Sequence, residues 1–405
     1  MSYPMMWTVL LVFFVAIHVS AALGQDKGKT LEVFNDVERT SKILGASVFT
    51  ADFEPGFVKH ENGSIAEVNS VNEDQRVLRS NVDLLRPNFQ AAVKYYKANT
   101  CIRFREITKE EARNGPHIEV VNDGRCFSLY GHQFENHNNL SLGLGCRWMA
   151  TILHELGHAL KFAHTQSRYD RDNYLKLNLN NVNASEQYNY AKLEKADTEN
   201  YGLPYDLLSI MQYEDGGFAI DTSISVMTPR NPLYKNSMGR NFELTFIDLK
   251  MLNRFYNCPE SCKHKIKCKN SGFQNSNKCD ECVCPSGFGG PNCNVRAGSD
   301  DPSTDCGKTL KATSKKWSTL NATFDSSCTW WINAGKKKHV EIQFLDVAID
   351  SNRNCEQAGL DVKICKTMAI PNVDKFVSKD NRAILRAYVN EKRSQHFTIR
   401  YRQVN

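Results

Sequence analysis

The sequence has little net charge for its length and, after its first 24 residues, no long apolar run. Its 51 Lys and Arg residues against 45 Asp and Glu residues give a formal charge of +6 over 405 residues. This mild excess does not favour nucleic acid as a partner, although it suits loose association with acidic matrix polymers. No stretch beyond residue 24 is apolar enough to span a bilayer. The sequence therefore predicts no stable membrane span.

Residues 1–24 contain the apolar run MMWTVLLVFFVAIHVSAALG, which ends in small residues. This pattern is typical of a secretory signal peptide, although the segment before the run lacks Lys and Arg. The alternative is a membrane anchor, which the missing basic stop-transfer cluster argues against. Residues 25–59 are polar, cysteine-free and weakly periodic, and this suits a pro-segment. No dibasic cleavage site precedes residue 60.

The cysteine count is high and even, at 14. An even set of cysteines in a chain with a predicted signal peptide indicates a disulfide framework and a secreted, extracellular protein. Four Asn-x-Ser/Thr sequons agree with a glycosylated surface, at Asn62, Asn139, Asn183 and Asn321.

The motif HELGHALKFAH carries His154 and His158 four residues apart, and His164 six residues later. On a helix with an apolar stripe facing the core, the first two stand one turn apart on a common face. Two imidazoles at this spacing fit two corners of a zinc tetrahedron, and Glu155 lies beside the open corner as a general base. His164 would lie ~9 Å further along the same helix, so the chain is expected to break just after Leu160 and turn back.

A Met-turn candidate, Ser209-Ile210-Met211-Gln212-Tyr213, follows about fifty residues further on. The extended zinc motif followed by a Met-turn is the signature of the metzincin peptidases. The alternative is a helix whose histidines make ordinary hydrogen bonds. The third histidine and the Met-turn argue against that alternative.

The run HELGHALKFAHTQSRYDRDNY resembles the signature of the astacin family, H-E-x-x-H-x-x-G-F-x-H-E-x-x-R-x-D-R-D-x-Y. Lys161 replaces the family's Gly, Thr165 replaces its Glu, and Gln212 replaces the His of its S-x-M-H-Y turn. Where Gly permits a left-handed turn, an L-residue such as Lys161 costs ~1–2 kcal/mol. In the family the replaced Glu reaches the buried amino terminus of the mature enzyme, so Thr165 is not expected to lock the terminus in that way.

The resemblance implies one Zn²⁺ held by His154, His158 and His164. It makes Glu155 the base that takes a proton from the attacking water and passes it to the leaving amine. It implies that Tyr213 stabilises the oxyanion, and that Met211 packs beneath the zinc. An ion-pair network is expected to brace the loop after the third histidine, formed by Arg168, Asp170, Arg171 and Asp172.

The astacin resemblance covers about residues 60–258 and implies an α+β metzincin catalytic domain. It implies the disulfides Cys101–Cys258 and Cys126–Cys146, and a rim strand that pairs with extended substrate. The preceding Phe49-Thr50-Ala51-Asp52 resembles the family's pro-segment F-x-G-D. Asp52 is therefore a candidate zinc ligand of the latent enzyme, with an ordinary acidic loop residue as the alternative.

Six cysteines follow within residues 259–294, and the ending C-x-C-P-S-G-F-G-G-P-N-C resembles an EGF-like module. The resemblance favours Cys284–Cys293. The unusual gap between Cys279 and Cys282 leaves the first two pairs open, with Cys262–Cys279 and Cys268–Cys282 preferred. A zinc ribbon at Cys279-x-x-Cys282 is the alternative. Residues 295–305 are rich in Gly, Ser, Asp and Pro and predict a linker.

Residues 306–405 carry the last four cysteines among alternating stretches. The patterns C-x-W-x-I and V-x-I-x-F and the later L-D-V-K-I-C resemble a CUB domain, an all-β sandwich, with Cys306–Cys328 and Cys355–Cys365 as its pairs. Some CUB domains bind Ca²⁺ through clustered acids, and Asp361 matches one such position.

The sequence thus predicts a secreted zinc metalloendopeptidase that cuts extracellular proteins. The module order resembles nematode astacins, which suggests cuticle or matrix substrates by analogy. The alternative is a catalytically impaired homologue that acts as an extracellular binding protein through its EGF-like and CUB modules. The retention of Glu155 and all three histidines favours the peptidase.

Overall fold

The computed structural model describes residues 47–52, 73–113, 116–131, 137–235, 238–239, 242–301, 303–304, 306–313, 316–349, 358–360, 375–389 and 393–405. The predicted signal peptide, Asn62, Asp361 and the predicted pair Cys355–Cys365 lie outside these residues. No helix in the described ranges is long and apolar enough to cross a membrane.

A five-stranded sheet forms the first half of the peptidase domain, with the strand order β2-β1-β3-β5-β4. β1 pairs antiparallel with both of its neighbours, β3 and β5 are parallel, and β4 is antiparallel to β5. β4 is therefore an edge strand within the described sheet. The strands are β1 (Ser47–Asp52), β2 (Arg103–Glu106), β3 (His117–Val121), β4 (Cys126–Ser128) and β5 (His137–Leu142).

β1 lies within residues 25–59, the predicted pro-segment, and pairs with two strands of the sheet. Phe49 is opposite both Glu106 and Ile118, so β1 bridges β2 and β3. Removing β1 would leave both neighbours with unpaired backbone groups. The backbone of Asp52 lies opposite Arg103 at the end of this strand. Its predicted role as a zinc ligand stays a prediction.

Helices cover this sheet and carry the active-site motif. They are α1 (Glu73–Asn99), α2 (Lys109–Arg113), α3 (Met149–Ala159) and α4 (Phe246–Phe255). Pro87 lies inside α1, fourteen residues after its start. Tyr96 of α1 is fully buried and its hydroxyl donates to the carbonyl of Leu153 in α3 at 2.7 Å. The core between sheet and helices therefore fixes the active-site helix directly.

The second half of the domain, in the described part of residues 165–245, consists mainly of loops and short 3-10 helices. Its only described strand pair is β6 (Leu175–Leu177) with β7 (Met227–Pro229). A separate small core holds it together, built on Leu175, Tyr190, Val226 and Met227. α4 then returns the chain to the first half, where Cys258 is bonded to Cys101. Cys126 is bonded to Cys146 beside the rim strand.

The six-cysteine segment contains the disulfides Cys262–Cys279, Cys268–Cys282 and Cys284–Cys293. Its hairpin joins β8 (Phe273–Asn275) to β9 (Lys278–Val283). Phe273 is part of the peptidase core. Asn277 donates to the carbonyls of Lys97 and Ala98 at the end of α1, at 3.0 and 2.9 Å. The module thus caps a helix of the peptidase domain.

The described residues of the predicted linker, 295–301 and 303–304, include a short strand and contacts with both neighbouring modules. β11 (Val295–Arg296) lies at the start of the predicted linker and pairs with β10 (Phe288–Gly289), which precedes it. Arg296 donates to the carbonyl of Thr329 at 2.9 Å. The indole nitrogen of Trp331 donates to the carbonyl of Gly287 at 2.9 Å. These bonds tie the beginning of the predicted linker, and Gly287 just before it, to the C-terminal domain.

The C-terminal domain is a sandwich of two four-stranded sheets, with orders β12-β14-β18-β16 and β13-β19-β15-β17. Alternating apolar residues of β14 and β18 meet those of β15 and β19 in one core, and Cys306 is bonded to Cys328. The strands are β12 (Thr309–Lys311), β13 (Ser318–Phe324), β14 (Cys328–Asn333), β15 (His339–Ala348), β16 (Ala358–Leu360), β17 (Lys375–Val377), β18 (Arg382–Val389) and β19 (Gln395–Val404).

The sequon residues differ in their exposure. Asn183 and Asn321 are exposed, as glycosylation requires. Asn139 lies within β5, and its side-chain oxygen is buried. Ser141 of the same sequon is fully buried. Glycosylation at Asn183 and Asn321 therefore fits the fold better than glycosylation at Asn139.

Candidate active site

The helix α3 presents the first two histidines because its opposite face is apolar. Ile152, Leu153 and Leu156 are fully buried, while His154 and His158 lie one turn apart and are half-buried. Gly157 leaves room for Met211, whose sulfur would lie 3.0 Å from a Cβ at that position. The Met-turn therefore packs directly beneath the helix that carries the histidines.

The helix ends at Ala159 with Leu160 as its C-cap, and the chain turns at Lys161, where the sequence predicted a break. Lys161 has a φ of 62°, and its N–H donates to the carbonyl of His158 at 2.9 Å. The N–H of Phe162 donates to the carbonyl of Gly157 at 2.8 Å. This pair of bonds is a Schellman motif with Lys161 in the left-handed position that favours glycine. The expected strain is present, and the turn still forms.

The three histidines meet after this turn. Nε2 of His164 lies 3.2 Å from Nε2 of His154 and 3.0 Å from Nε2 of His158. Nδ1 of His154 lies 2.7 Å from the carbonyl of Ile210, and Nδ1 of His158 lies 2.9 Å from the carbonyl of Phe162. A carbonyl can only accept, so each of these Nδ1 atoms carries the proton. The Nε2 lone pairs are consequently free to bind a metal.

The electrostatics of this cluster favour neutral imidazoles. Burial lowers the pKa of His154, and burial with the neighbouring histidines lowers the pKa of His158 to about 3 and of His164 to about 2. Nitrogens bound to a tetrahedral zinc at ~2.0–2.1 Å lie ~3.3 Å apart. The observed spacings are close to this value, and the donor set is the one zinc prefers. The residues present therefore fit Zn²⁺.

Glu155 is the acid beside this cluster. It is 6% exposed, and its Oε2 has no hydrogen-bond partner among the described residues. Burial raises the pKa of Glu155 to about 8 in the metal-free protein, although a hydrogen bond from the backbone of Ser128 in the rim strand lowers it. A buried carboxyl with one free oxygen is well suited to accept a proton from water.

Tyr213 lies on the other side of the cluster. Its ring centroid is 4.3 Å from that of His164. Burial, followed by the nearby Tyr190, Glu155 and Tyr188, raises the pKa of Tyr213 above its usual range. Its hydroxyl consequently stays protonated at neutral pH and remains a hydrogen-bond donor.

The other two departures from the astacin pattern, Thr165 and Gln212, both make hydrogen bonds within the fold. The N–H of Thr165 donates to the carbonyl of Met211 at 2.9 Å, which joins the third-histidine loop to the Met-turn. Gln212 is 3% exposed and accepts a hydrogen bond from the hydroxyl of Tyr205 at 2.8 Å. Its amide donates to the carbonyl of Tyr213 at 3.3 Å. Gln212 therefore fills a satisfied structural position.

The expected ion-pair network braces the loop after His164. Arg168 makes a bidentate pair with Asp170, at 2.9 Å for both bonds. Arg171 contacts Asp172 at 3.3 Å and donates to the carbonyl of Gln166 at 2.9 Å. Both arginine side chains are nearly buried. Their role is to hold the loop that delivers His164.

Two supporting residues escaped the sequence analysis. Asp248 of α4 is buried and accepts hydrogen bonds from Ser209 at 2.6 Å and from the N–H of Ile210 at 3.0 Å. Gln166 is buried and accepts from the N–H of Tyr213 at 3.2 Å. The Thr245-x-x-Asp248 pattern predicts a helix N-terminus. Nothing in the sequence indicates that its acid also holds the Met-turn.

Comparison with known proteins identifies two parts of the chain. Residues 77–257 match the model of the peptidase family described as Astacin, and residues 306–401 match the CUB domain. The chain is 33% identical over 311 residues to zinc metalloproteinase nas-31 of Caenorhabditis elegans, covering 74% of this chain and 49% of the relative. It is 31% identical over 294 residues to nas-28 of the same organism, covering 69% of this chain and 58% of the relative.

A solved structure gives a further likeness. The chain is 32% identical to high choriolytic enzyme 1, a hatching enzyme zinc-protease from Oryzias latipes, with a TM-score of 0.38. The match covers 42% of this chain and 82% of that one. The chain spans about half the length of the curated relatives described above.

Proposed function

We propose that the chain is a secreted zinc-dependent metalloendopeptidase of the astacin family, whose model matches residues 77–257. The observation that carries the proposal is the convergence of three neutral imidazoles beside a buried carboxyl with one free oxygen. When bound by His154, His158 and His164, Zn²⁺ would supply Lewis acidity and lower the pKa of water at the open position.

The remaining steps belong to the side chains. Glu155 takes the proton of the attacking water at Oε2 and later passes it to the leaving amine. The Tyr213 hydroxyl donates a hydrogen bond to the carbonyl oxygen as negative charge develops there. The edge strand β4, which carries Ser128, pairs with an extended substrate and brings the scissile bond beside Glu155.

The substrate class follows from the modules. An endopeptidase with an EGF-like module and a CUB domain is expected to cut extracellular proteins, of which cuticle or matrix proteins are the candidates. Extracellular location is supported by the disulfides, since no free cysteine occurs in the part of the chain that the structure describes. Ca²⁺ binding at Asp361 of the CUB domain stays a prediction.

The test is cleavage of a quenched peptide library by the purified chain and by Glu155→Gln. We expect Glu155→Gln to keep its fold and its zinc while losing activity by a factor of ~10² or more. Glu194→Gln, at an exposed residue of the same domain, is the matched control and should retain activity. A Glu155→Gln variant as active as the parent would contradict the proposal, as would a zinc-loaded parent that cleaves no peptide.

A further inference from the structure

Beside Tyr213 lies a group of exposed apolar side chains that the mechanism does not use. The ring of Phe218 is 5.7 Å from the ring of Tyr213, which itself contacts His164. Phe218 is 45% exposed, Ile220 67% and Tyr188 70%. These three residues are called the apolar shelf below. Single exposed apolar residues are ordinary, whereas a group beside a reactive site indicates a binding surface.

Hydrogen bonds to Asn181 hold in place the loop that carries Phe218 and Ile220. Asn181 is buried, and its amide donates to the carbonyls of Asp221 at 2.9 Å and Ile224 at 2.7 Å. The N–H of Ile220 donates to the carbonyl of Asn181 at 2.8 Å. Val182 and Ala219 form an isolated β-bridge. The loop that carries Phe218 and Ile220 is therefore fixed to the segment that leads to Tyr188.

The backbone of Phe218 adds an independent indication. Its φ of 57° lies in the left-handed region, which a bulky residue seldom adopts. Such strain persists where the surroundings impose it, and it is common at ligand-binding sites. Here the strained residue carries an aromatic ring that is 45% exposed and lies beside Tyr213. A glycine would relieve the strain, so the ring itself is the feature that needs explaining.

We propose that the apolar shelf binds a bulky apolar or aromatic side chain of the substrate, close to the scissile bond. The inference rests on the proposed peptidase function and names the substrate class for it. A peptide whose carbonyl lies between Glu155 and Tyr213 places an adjacent side chain within reach of Phe218. Burial of one such side chain between Phe218, Ile220 and Tyr188 removes apolar surface of both partners from water. The enzyme therefore prefers sequences that carry Phe, Leu or Tyr beside the cut.

The experiment compares quenched peptides that differ only in Phe, Leu or Ser at each position flanking the cut. The parent should cleave its best Phe or Leu peptide with a kcat/KM about tenfold above that of the Ser peptide, the lower end of what an apolar pocket gives. Phe218→Gly with Ile220→Ser should bring this ratio close to one. Lys337→Gly is the matched control, because it relieves the same left-handed strain at an exposed turn of the C-terminal domain.

A binding measurement tests this inference independently of whether the protein cleaves peptides. Two peptide hydroxamates that carry Phe or Ser beside the hydroxamate are titrated into the zinc-loaded Glu155→Gln protein. A tighter Kd for the Phe compound that disappears in the shelf variant supports the shelf, even if the parent cleaves nothing. Cleavage without an apolar preference would overturn the shelf while the peptidase stands. Equal binding of both hydroxamates, or none of either, would also overturn the shelf.

Discussion

Asp248 accepts the N–H of Ile210 at 3.0 Å, and so a buried acid of the C-terminal helix of the peptidase domain holds the Met-turn in place. The carbonyl of the same Ile210 accepts from Nδ1 of His154 at 2.7 Å. Ser209 donates to the same carboxyl at 2.6 Å. One acid therefore fixes the backbone that sets the tautomer of a metal ligand, although it contacts no reacting group. Asp248 is a positioning residue.

Replacing Asp248 by Asn should weaken zinc binding by about tenfold, because partners that orient a ligand are worth roughly 10–100-fold in metal affinity. The amide would also turn a donor toward the N–H groups of Ile210 and Thr245, so the free energy of unfolding should fall by ~1–3 kcal/mol. Competition with a chelator and urea unfolding measure the two effects. Asp280→Asn, at an exposed acid, is the control, and equal zinc affinity in both variants would contradict the role of Asp248.

The buried carboxyl of Asp248 should make the free energy of unfolding depend on pH. Burial and the nearby Asp206 carboxylate raise the pKa of Asp248 from 3.8 to about 6. The folded protein then binds this proton more tightly than the unfolded chain. The resulting contribution to the free energy of unfolding is complete below the unfolded pKa and is lost as the pH rises through the folded pKa of about 6. As the pH rises from the unfolded pKa to the folded pKa of about 6, the free energy of unfolding of the parent should fall relative to that of Asp248→Asn. Urea unfolding at a series of pH values measures this difference. Parallel pH profiles for the two proteins would refute the assignment.

Lys161→Gly should stabilise the protein by ~1 kcal/mol, because Gly adopts the left-handed position of the Schellman motif without strain. Thermal unfolding measures the change. Lys161→Ala removes the same charge and keeps the strain, so it should give no such gain. A stability of Lys161→Gly at or below that of Lys161→Ala would show that packing of the lysine stem on Gly131 outweighs the backbone strain.

Because β1 lies between β2 and β3, removing it by truncation should lower the stability of the domain. Chains that begin at residue 25 or 40 retain Ser47–Asp52, whereas a chain that begins at residue 60 loses the strand between β2 and β3. The shortest chain should therefore unfold at the lowest temperature. Equal stability of all three, with higher activity for the chain from residue 60, would instead support a removable pro-segment.

The arrangement of the three histidines was predictable because it follows from the spacing of residues close together in the sequence. His154 and His158 need one helical turn, and the position of His164 requires a break that the structure places at Lys161. Six disulfides of the described structure join the cysteine pairs preferred from the sequence.

The remaining features depend on contacts between residues far apart in the chain. Asp248 meets Ile210 across 38 residues, and Asn277 caps α1 across 180. β1 pairs with strands that lie beyond α1 in the chain, and no local pattern predicts this pairing. The pairing of β11 with β10 at the start of the predicted linker is likewise not visible in the composition of residues 295–305.

The most direct test of the account is the zinc content of the purified chain, measured beside its activity. We expect close to one Zn²⁺ per chain, loss of cleavage on chelation, and recovery when zinc is restored. His158→Gln should lose both metal and activity, while His264→Gln, at an exposed histidine paired with Asp280, should keep both. A parent that cleaves peptides without zinc, or a His158→Gln variant that retains its metal, would contradict the assignment of this site.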